Sequence, residues 1–224
     1  MAHLVELPHV QIRKYCDPPD EKGQEVQFRL IYRGKLPAAR WEEDTRRKEK
    51  HAIRKVLHKQ LTELWKQNFS LLPWLVKRDI GGGVLRSKAD SIADNFARCG
   101  FRLLPLITER LALACSLDIL FLRRDEPGKI IQSGGDIDNR IKVLFDALRI
   151  PRDCNEVAGF SPDADEDPLY CLLEDDTLIN EVRVNTDRLL LPMEDGESEN
   201  DVMLVIHVRT IVTDSSKTWV GWGL

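Results

Sequence analysis

Two aspartates separated by one apolar residue open the acidic part of GGDIDNRIKVLFDAL, the stretch from Gly134 to Leu148. On an extended backbone alternate side chains leave the same face, so Asp136 and Asp138 can share one cation. A second acidic pair, Asp175 and Asp176, comes just before a predicted strand, and Asp175 is expected to support Asp176 or to cap a turn. Carboxylates grouped without His or Cys form the oxygen site that Mg²⁺ or Mn²⁺ prefers. These residue types favour phosphodiester chemistry, in which such an ion polarises a phosphoryl oxygen and activates water.

A helix is predicted to begin at this acidic motif, with Asp138 as its N-cap. Its apolar residues recur at helical spacing: Ile141, Leu144, Phe145 and Leu148. Lys142 lies one turn after Asp138, where its ammonium group can hold a phosphate or stabilise charge in the transition state. Asp146, one turn further on, is predicted to pair with Lys142 rather than to bind metal.

Charge is distributed unevenly along the 224 residues, whose net charge is -4. The segment from Phe28 to Gln60 has a balance of +7, and the segment from Asp153 to Asp201 has a balance of -14. Because the local field attracts a polyanion, a basic surface is compatible with an acidic chain. The alternative is a solvated helix face whose charges only keep the protein soluble.

Four further elements are predicted along the chain. Residues 26 to 33 alternate as a half-buried strand, and residues 41 to 65 form a helix with an apolar stripe and a basic surface. The stripe comprises Ile53, Val56, Leu57, Leu61 and Leu64, and the basic surface comprises Arg46, Arg47, Lys48, Lys50, Arg54, Lys55 and Lys59. Residues 111 to 122 read as a central strand covered on both faces, and residues 202 to 212 as a final strand. Residues 153 to 168, acidic and containing proline, are predicted to form a mobile loop with little core.

Cysteine usage and hydropathy limit the setting of the protein. The five cysteines show no C-x-x-C spacing, which favours neither a disulfide framework nor a zinc site and fits a reducing cytosol. The longest apolar run is too short to span a bilayer, and no signal peptide is recognisable. A soluble cytoplasmic protein without a membrane partner is expected. His51, His58 and His207 are predicted to be surface or strand histidines.

The order of these motifs resembles the RusA family of Holliday-junction resolvases. The shared pattern is a strand, a loop, D-x-D-N with a lysine four residues after the second Asp, a helix ending D-A-L, and a later D-D pair that opens a strand. The resemblance implies that Asp136, Asp138 and Asp176 are metal-binding catalytic carboxylates and that Lys142 is the catalytic-site lysine. It also implies Mg²⁺-dependent nicking of four-way DNA junctions by a symmetric homodimer.

The fold expected is an α/β (α+β) domain with a small mixed sheet packed by helices. Residues 1 to 25 are assigned to an N-terminal arm, and residues 26 to 224 to one RusA-like domain with insertions at about 66–105 and 153–170. The expected DNA-binding residues are all arginines or lysines: Arg46, Arg47, Lys50, Arg54, Arg123 and Arg124.

Three alternatives remain open at the level of sequence. Aspartates before a helix are commonly N-cap and first-turn residues that complement the helix dipole. The chain can also be a catalytically silent DNA-binding or scaffold module of the same fold. A metal nuclease that acts on other branched substrates or on RNA is the third.

Overall fold

The computed structural model describes residues 26–36, 42–124, 137–193, 196–198 and 201–214. Its α-helices are α1 Glu43–Gln67, α2 Leu72–Leu75, α3 Lys88–Asn95 and α4 Ile137–Leu148. Its strands are β1 Gln27–Lys35, β2 Arg78–Asp79, β3 Leu85–Arg86, β4 Leu103–Ile107, β5 Leu113–Arg123, β6 Leu169–Leu173, β7 Ile179–Arg188 and β8 Asp201–Val212. Two short 3-10 helices span Cys154–Val157 and Asp176–Leu178. The predicted arm at 1–25 and the acidic residue Asp136 lie outside the described residues.

The main sheet has four strands in the order β1-β8-β5-β7. β8 pairs antiparallel with both β1 and β5, whereas β7 pairs parallel with β5, so the sheet is mixed. A separate parallel pair joins β4 to β6. Helix α1 contacts β1, β6 and α4, and thereby connects the two sheets. The predicted α+β class, a small mixed sheet packed by helices, is confirmed.

The predicted central strand is confirmed as β5, with one correction. The strand begins at Leu113, because residues 109 to 112 form a turn in which Ala112 has a positive φ of 50°. Leu117, Ile119 and Phe121 are buried, but Leu120, on the opposite face, is 38% exposed. The prediction that both faces of the strand are covered was therefore wrong for its second half.

The predicted basic helix is confirmed as α1, but its buried face is wider than its apolar stripe. Ile53, Leu57 and Leu61 are buried as expected, whereas Val56 is 41% exposed. The buried face also contains polar side chains, because α1 is enclosed by β1, β6, α4 and the Cys154–Val157 helix. Its buried residues beyond the stripe are His51, Arg54, His58 and Trp65.

One side chain fastens α1 to the outward backbone of β1. The N–H of Ile31 donates to Oε1 of Gln60 at 2.9 Å, and Nε2 of Gln60 donates to the carbonyl oxygen of Ile31 at 2.7 Å. A primary amide thus satisfies the same two groups that a neighbouring peptide unit would satisfy in a sheet.

The acidic span after α4 is not the coreless loop that its composition predicts. Val157 is 3% exposed and Glu166 is 1% exposed. Glu166 Oε2 accepts the N–H of Asp163, and Asp163 and Glu166 both form ion pairs with Lys55 of α1. The span is held because its carboxylates find cations and backbone donors on neighbouring elements.

A disulfide joins Cys99, after α3, to Cys154, at the start of the first 3-10 helix. The expectation that the cysteines form no disulfide was therefore wrong. The two residues are 55 positions apart, so no short sequence spacing indicates that they pair. Cys115 and Cys171 are free and buried.

Candidate acidic site and its arginine network

Asp138 and Lys142 lie on exposed positions of α4, one turn apart. The helix begins at Ile137, so Asp138 lies in its first turn. The prediction that Asp138 is the N-cap was therefore wrong. Oδ1 of Asp138 accepts the N–H of Asn139 at 2.8 Å. Neither Asp138 nor Lys142 forms an ion pair within the described part of the chain. The pair therefore presents a carboxylate and an ammonium group to solvent on one helix face.

Asp175 is the N-cap of the Asp176–Leu178 helix. Its Oδ1 accepts the N–H of Thr177 at 3.1 Å, which confirms the prediction that it caps a turn. Burial opposes ionisation of the Asp175 carboxyl. Hydrogen bonds from Thr177 and Arg152 outweigh that burial and lower its pKa to about 2. Asp175 is therefore an anion at neutral pH whose oxygens already have donors.

Asp176 pairs with two arginines, Arg149 and Arg152, that belong to none of the motifs in the sequence. Arg152 Nη2 lies 2.8 Å from Asp176 Oδ1 and 3.1 Å from Asp175 Oδ2. Arg149 Nε lies 3.9 Å from Asp176 Oδ2. The helix that begins with Asp176 contacts both α4 and β5, so this carboxylate lies beside the helix that carries Asp138.

The donor chemistry of these residues suits Mg²⁺ only in part. Among the described residues no cation competes for the carboxylate oxygens of Asp138, whereas both oxygens of Asp176 face a guanidinium group. Within the described ranges, no three His, Cys, Asp or Glu side chains form a group that could hold a metal ion. Asp136, the remaining predicted ligand, lies outside those ranges. Of the elements that carry the predicted ligands, α4 with Asp138 and the short helix with Asp176 contact each other.

Arg149 is the centre of a buried ionic network behind the acidic site. Its guanidinium donates to both oxygens of Glu156, at 2.8 and 3.1 Å, and to Oδ1 of Asp146 at 2.6 Å. Arg54 of α1 donates to the same Glu156 carboxylate at 3.2 Å and to the carbonyl oxygen of Asp146 at 2.6 Å. The side chains of Arg149 and Arg54 are 2% and 1% exposed. Such buried ions are tolerated because most of their donors have acceptors. Among the described residues, Arg149 Nε has no hydrogen-bond partner and lies 3.9 Å from Asp176 Oδ2.

Asp146 does not pair with Lys142, so that prediction was wrong. Its carboxylate instead bonds to Arg149 on the next turn and to Lys50 of α1 at 3.3 Å. The packing of α1 against α4 supplies a nearer and less exposed cation than the one on the same helix face. The conclusion that Asp146 serves structure rather than metal binding stays compatible with these contacts.

The basic residues predicted to contact DNA differ in their accessibility. Arg46 and Arg47 are half-buried near the start of α1, and Arg47 pairs with Glu43 at 2.5 Å. Lys50 is 13% exposed and bound to Asp146. The prediction that Arg54 faces solvent was wrong, because its N–H groups donate to Glu156 and Asp146 in the buried network.

The remaining two predicted DNA contacts lie at the end of β5. Arg123 is 7% exposed. Arg124 donates to the carbonyl oxygen of Leu191 at 2.6 Å and to Glu197 at 2.9 Å. Arg33 of β1 also pairs with Glu197, so this acid neutralises two arginines at once. The guanidinium groups of Arg124 and Arg33 thus both bond to the chain between β7 and β8.

His51 and His58 are buried on α1, contrary to expectation. His51 stacks on Phe160 at 4.8 Å between ring centroids, and Phe101 meets it edge-on at 5.6 Å. Burial, with a smaller effect from Arg54, lowers the pKa of His51 to about 4. His207 lies on β8, as the prediction of a strand histidine allows.

His58 joins α1 to the acidic span and to β6. Its Nδ1 accepts the N–H of Tyr170 at 2.9 Å, so Nε2 carries the proton and donates to the carbonyl oxygen of Asp165 at 3.0 Å. Burial lowers the pKa of His58, which keeps the ring neutral and preserves this tautomer.

Comparison of the chain with protein-family models, with curated proteins and with solved structures finds no match. Among the described helices, none is long and apolar enough to cross a membrane.

Proposed function

We propose that the chain is a Mg²⁺-dependent, structure-selective endonuclease of the RusA type, which resolves four-way DNA junctions by paired nicks. One observation carries the proposal: Asp138 and Lys142 occupy successive exposed turns of α4, and the helix beginning with Asp176 packs against α4. A carboxylate pair and a lysine on neighbouring elements are the groups that metal-assisted phosphodiester hydrolysis requires.

The roles proposed for these residues follow from their charge. Asp136, Asp138 and Asp176 would hold Mg²⁺ or Mn²⁺, and Lys142 would bind the scissile phosphate. When bound, the ion would supply charge neutralisation and an activated water molecule. The exposure of Asp138 and Lys142 supports the proposal, because a duplex arm can reach only groups at the surface.

The proposed setting is a homodimer that acts on branched DNA in the cytoplasm during recombination and repair. Two-fold symmetry would match the near two-fold symmetry of a junction. Phosphate binding is assigned to the start of α1, where Lys48 is exposed and Arg46 and Arg47 are half-buried.

The test is cleavage of a synthetic four-way junction by the full chain in Mg²⁺. We expect paired symmetric nicks that Asp138→Asn abolishes, while Asp79→Asn, at an exposed position of β2, has no effect on cleavage. Absence of nicks from the unmodified chain, or unchanged cleavage by Asp138→Asn, would refute the catalytic role. A panel of flaps, replication forks and RNA would reveal a different substrate class.

A second candidate is a catalytically silent DNA-binding module, and the arginines on Asp176 favour it. A carboxylate whose oxygens face Arg149 and Arg152 is neutralised without metal. Under this alternative the chain binds junctions equally well with EDTA, and Asp176→Asn changes the free energy of unfolding without any change in turnover.

A further inference from the structure

The hairpin formed by β2 and β3 is exposed from its base to its tip. Every residue from 78 to 86 is exposed. Beyond the two paired residues of each strand, the N–H of Ile80 donates to the carbonyl oxygen of Val84 at 3.1 Å, so the ladder continues by one pair. Residues 81 to 83 are glycines with positive φ, a conformation that other residues rarely adopt, and they close the loop. The hairpin therefore has a defined tip flanked by Ile80 and Val84.

The side chains around this tip are apolar. Ile80 is 64% exposed, Leu85 is 61% exposed and Val84 is 50% exposed. Val76, just before β2, is exposed as well. Exposed apolar residues that are contiguous, rather than scattered singly, mark interaction sites. The tip is therefore a candidate contact surface of the chain.

Two arginines lie directly opposite each other at the base of the hairpin. Arg78 of β2 and Arg86 of β3 are register partners, and like charges in such positions repel each other. Nη2 of Arg86 lies 2.5 Å from Oδ2 of Asp94, a carboxylate that also pairs with Arg102. Within the described ranges, no carboxylate pairs with Arg78. Because the two opposed guanidinium groups share so little negative charge, this position favours a further anion.

The arginines and the tip share one face of the hairpin. Side chains alternate along a strand, which places Ile80 and Val84 on the side of Arg78 and Arg86, and Asp79 on the other side. Two residues of strand, or about 7 Å, separate the arginines from the tip. A ligand that fits this face carries an anion and an apolar surface at about that separation.

Branched DNA has this combination. Nucleotides follow one another by about 3.4 Å along a strand, so about two steps separate the base and the phosphate that the face would contact. Where strands exchange, bases lose a stacking neighbour, and apolar side chains such as Ile can pack against them. A bilayer fits less well, because insertion of the whole tip would also desolvate the Asp79 carboxylate, which accepts the N–H of Gly81 at 2.7 Å.

We propose that the hairpin binds the branch point of the DNA, with Ile80 and Val84 against the unstacked bases and with Arg78 and Arg86 on a nearby phosphate. This inference rests on the proposed function for its branched partner. It adds the contact by which the chain distinguishes a junction from a linear duplex. A linear duplex offers phosphates to the arginines but no unstacked base to the tip.

Binding of the full chain to a four-way junction in EDTA tests the hairpin without turnover. The junction carries 2-aminopurine at the branch point, because the fluorescence of this base rises when it is unstacked. We expect a rise with the unmodified chain. The double variant Ile80→Ser, Val84→Ser should lose the rise and bind the junction about tenfold more weakly, since two aliphatic side chains are no longer buried on binding. Its affinity for a linear duplex of the same sequence should stay unchanged.

Arg78→Gln tests the phosphate contact separately. It should weaken binding to junction and duplex alike and reduce the slope of log affinity against log salt by about 0.9, the share of one phosphate. Two controls match these variants. Asp79→Asn, on the opposite face, keeps an acceptor for the Gly81 N–H, and Leu190→Ser removes an aliphatic side chain that is 83% exposed elsewhere. Both should bind the junction like the unmodified chain.

Three results would overturn the inference. The first is an unchanged preference for junction over duplex in the double variant, and the second is a lack of junction binding by the unmodified chain. The third is a hairpin that is needed for another partner and not for the junction. Hairpin-dependent sedimentation with phosphatidylserine vesicles would reveal a membrane surface, and a change in the mass of the chain in solution would reveal a protein contact.

The inference and the proposed function fail separately. Cleavage that the double variant retains with full junction selectivity refutes the role of the hairpin and leaves the nuclease standing. Hairpin-dependent binding at the branch point, without nicks in Mg²⁺, refutes the nuclease and leaves the role of the hairpin.

Discussion

Glu156 and Arg149 face each other through two parallel hydrogen bonds, of 2.8 and 3.1 Å, inside the protein. This bidentate pairing is the strong form of an ion pair, and Arg54 adds a third bond to the same carboxylate. Arg149 Nε also lies 3.9 Å from Asp176 Oδ2, so ion pairs rather than apolar contacts position the acidic site.

Removing the charge of Glu156 should therefore destabilise the fold. Glu156→Gln leaves two buried guanidinium groups without a full counter-charge, and we expect a loss of about 3 kcal/mol in the free energy of unfolding. Urea denaturation would measure it. Glu63→Gln, which removes an exposed partner of Lys66, should leave that free energy unchanged within error. Equal effects of the two substitutions would contradict a buried network.

His51 should make stability depend on pH. Its folded pKa of about 4 lies below the ordinary value of 6.5, so the unfolded chain takes up a proton before the folded chain does. Stability is full above pH 6.5 and falls as the pH drops from 6.5 towards 4. His51→Leu should remove about 2–3 kcal/mol of that dependence in denaturant titrations at the two pH values. An unchanged difference would contradict a neutral buried ring.

Lys142 should act in the chemical step and not in metal binding. Lys142→Met keeps the length of the side chain on an exposed helix position and removes its charge. We expect junction cleavage to fall about 10²- to 10³-fold, because a cation at the developing phosphoryl charge is lost. Mn²⁺ affinity and the unfolding midpoint should stay within error of the unmodified chain. Weakened Mn²⁺ binding would instead assign Lys142 to the organisation of the site.

The start of α1 should contribute phosphate contacts. Replacing Arg46 and Arg47 together by Ala should weaken junction binding and reduce the slope of log affinity against log salt by about 1–2, since each phosphate contact contributes about 0.9. Titrations at several salt concentrations would measure this. Lys66→Ala, on the last turn of the same helix, serves as the control. A slope that falls equally in both proteins would point to overall charge rather than to a local surface.

Periodic features of the chain were predictable from sequence. The alternation in β1 and β8 and the helical spacing in α1 and α4 follow from one face of each element being buried. Asp175 was recognisable as a cap because Asp commonly accepts a backbone N–H at the start of a helical turn.

Contacts between distant segments were not predictable in the same way. Arg54 looks like any surface cation on a basic helix, and its burial is explained by Asp146 and Glu156, which lie 92 and 102 residues later. Likewise the acidic span from 153 to 168 lacks apolar content, yet Lys55 and His58 give its carboxylate and carbonyl groups partners. The pairing of Asp176 with Arg149 and Arg152 has the same origin, since neither arginine belongs to a local motif.

The buried face of α1 also has a consequence for synthesis on the ribosome. Arg54 and His58 find their partners 92 to 112 residues later in the chain. At translation rates of roughly 5–20 residues per second, those partners emerge about 5–20 s after the helix does. For that time the face of α1 that becomes buried must remain hydrated or be covered by a chaperone. Slowing translation between residues 70 and 170 should therefore lower the yield of folded protein, because Arg54 then stays longer without its buried partners.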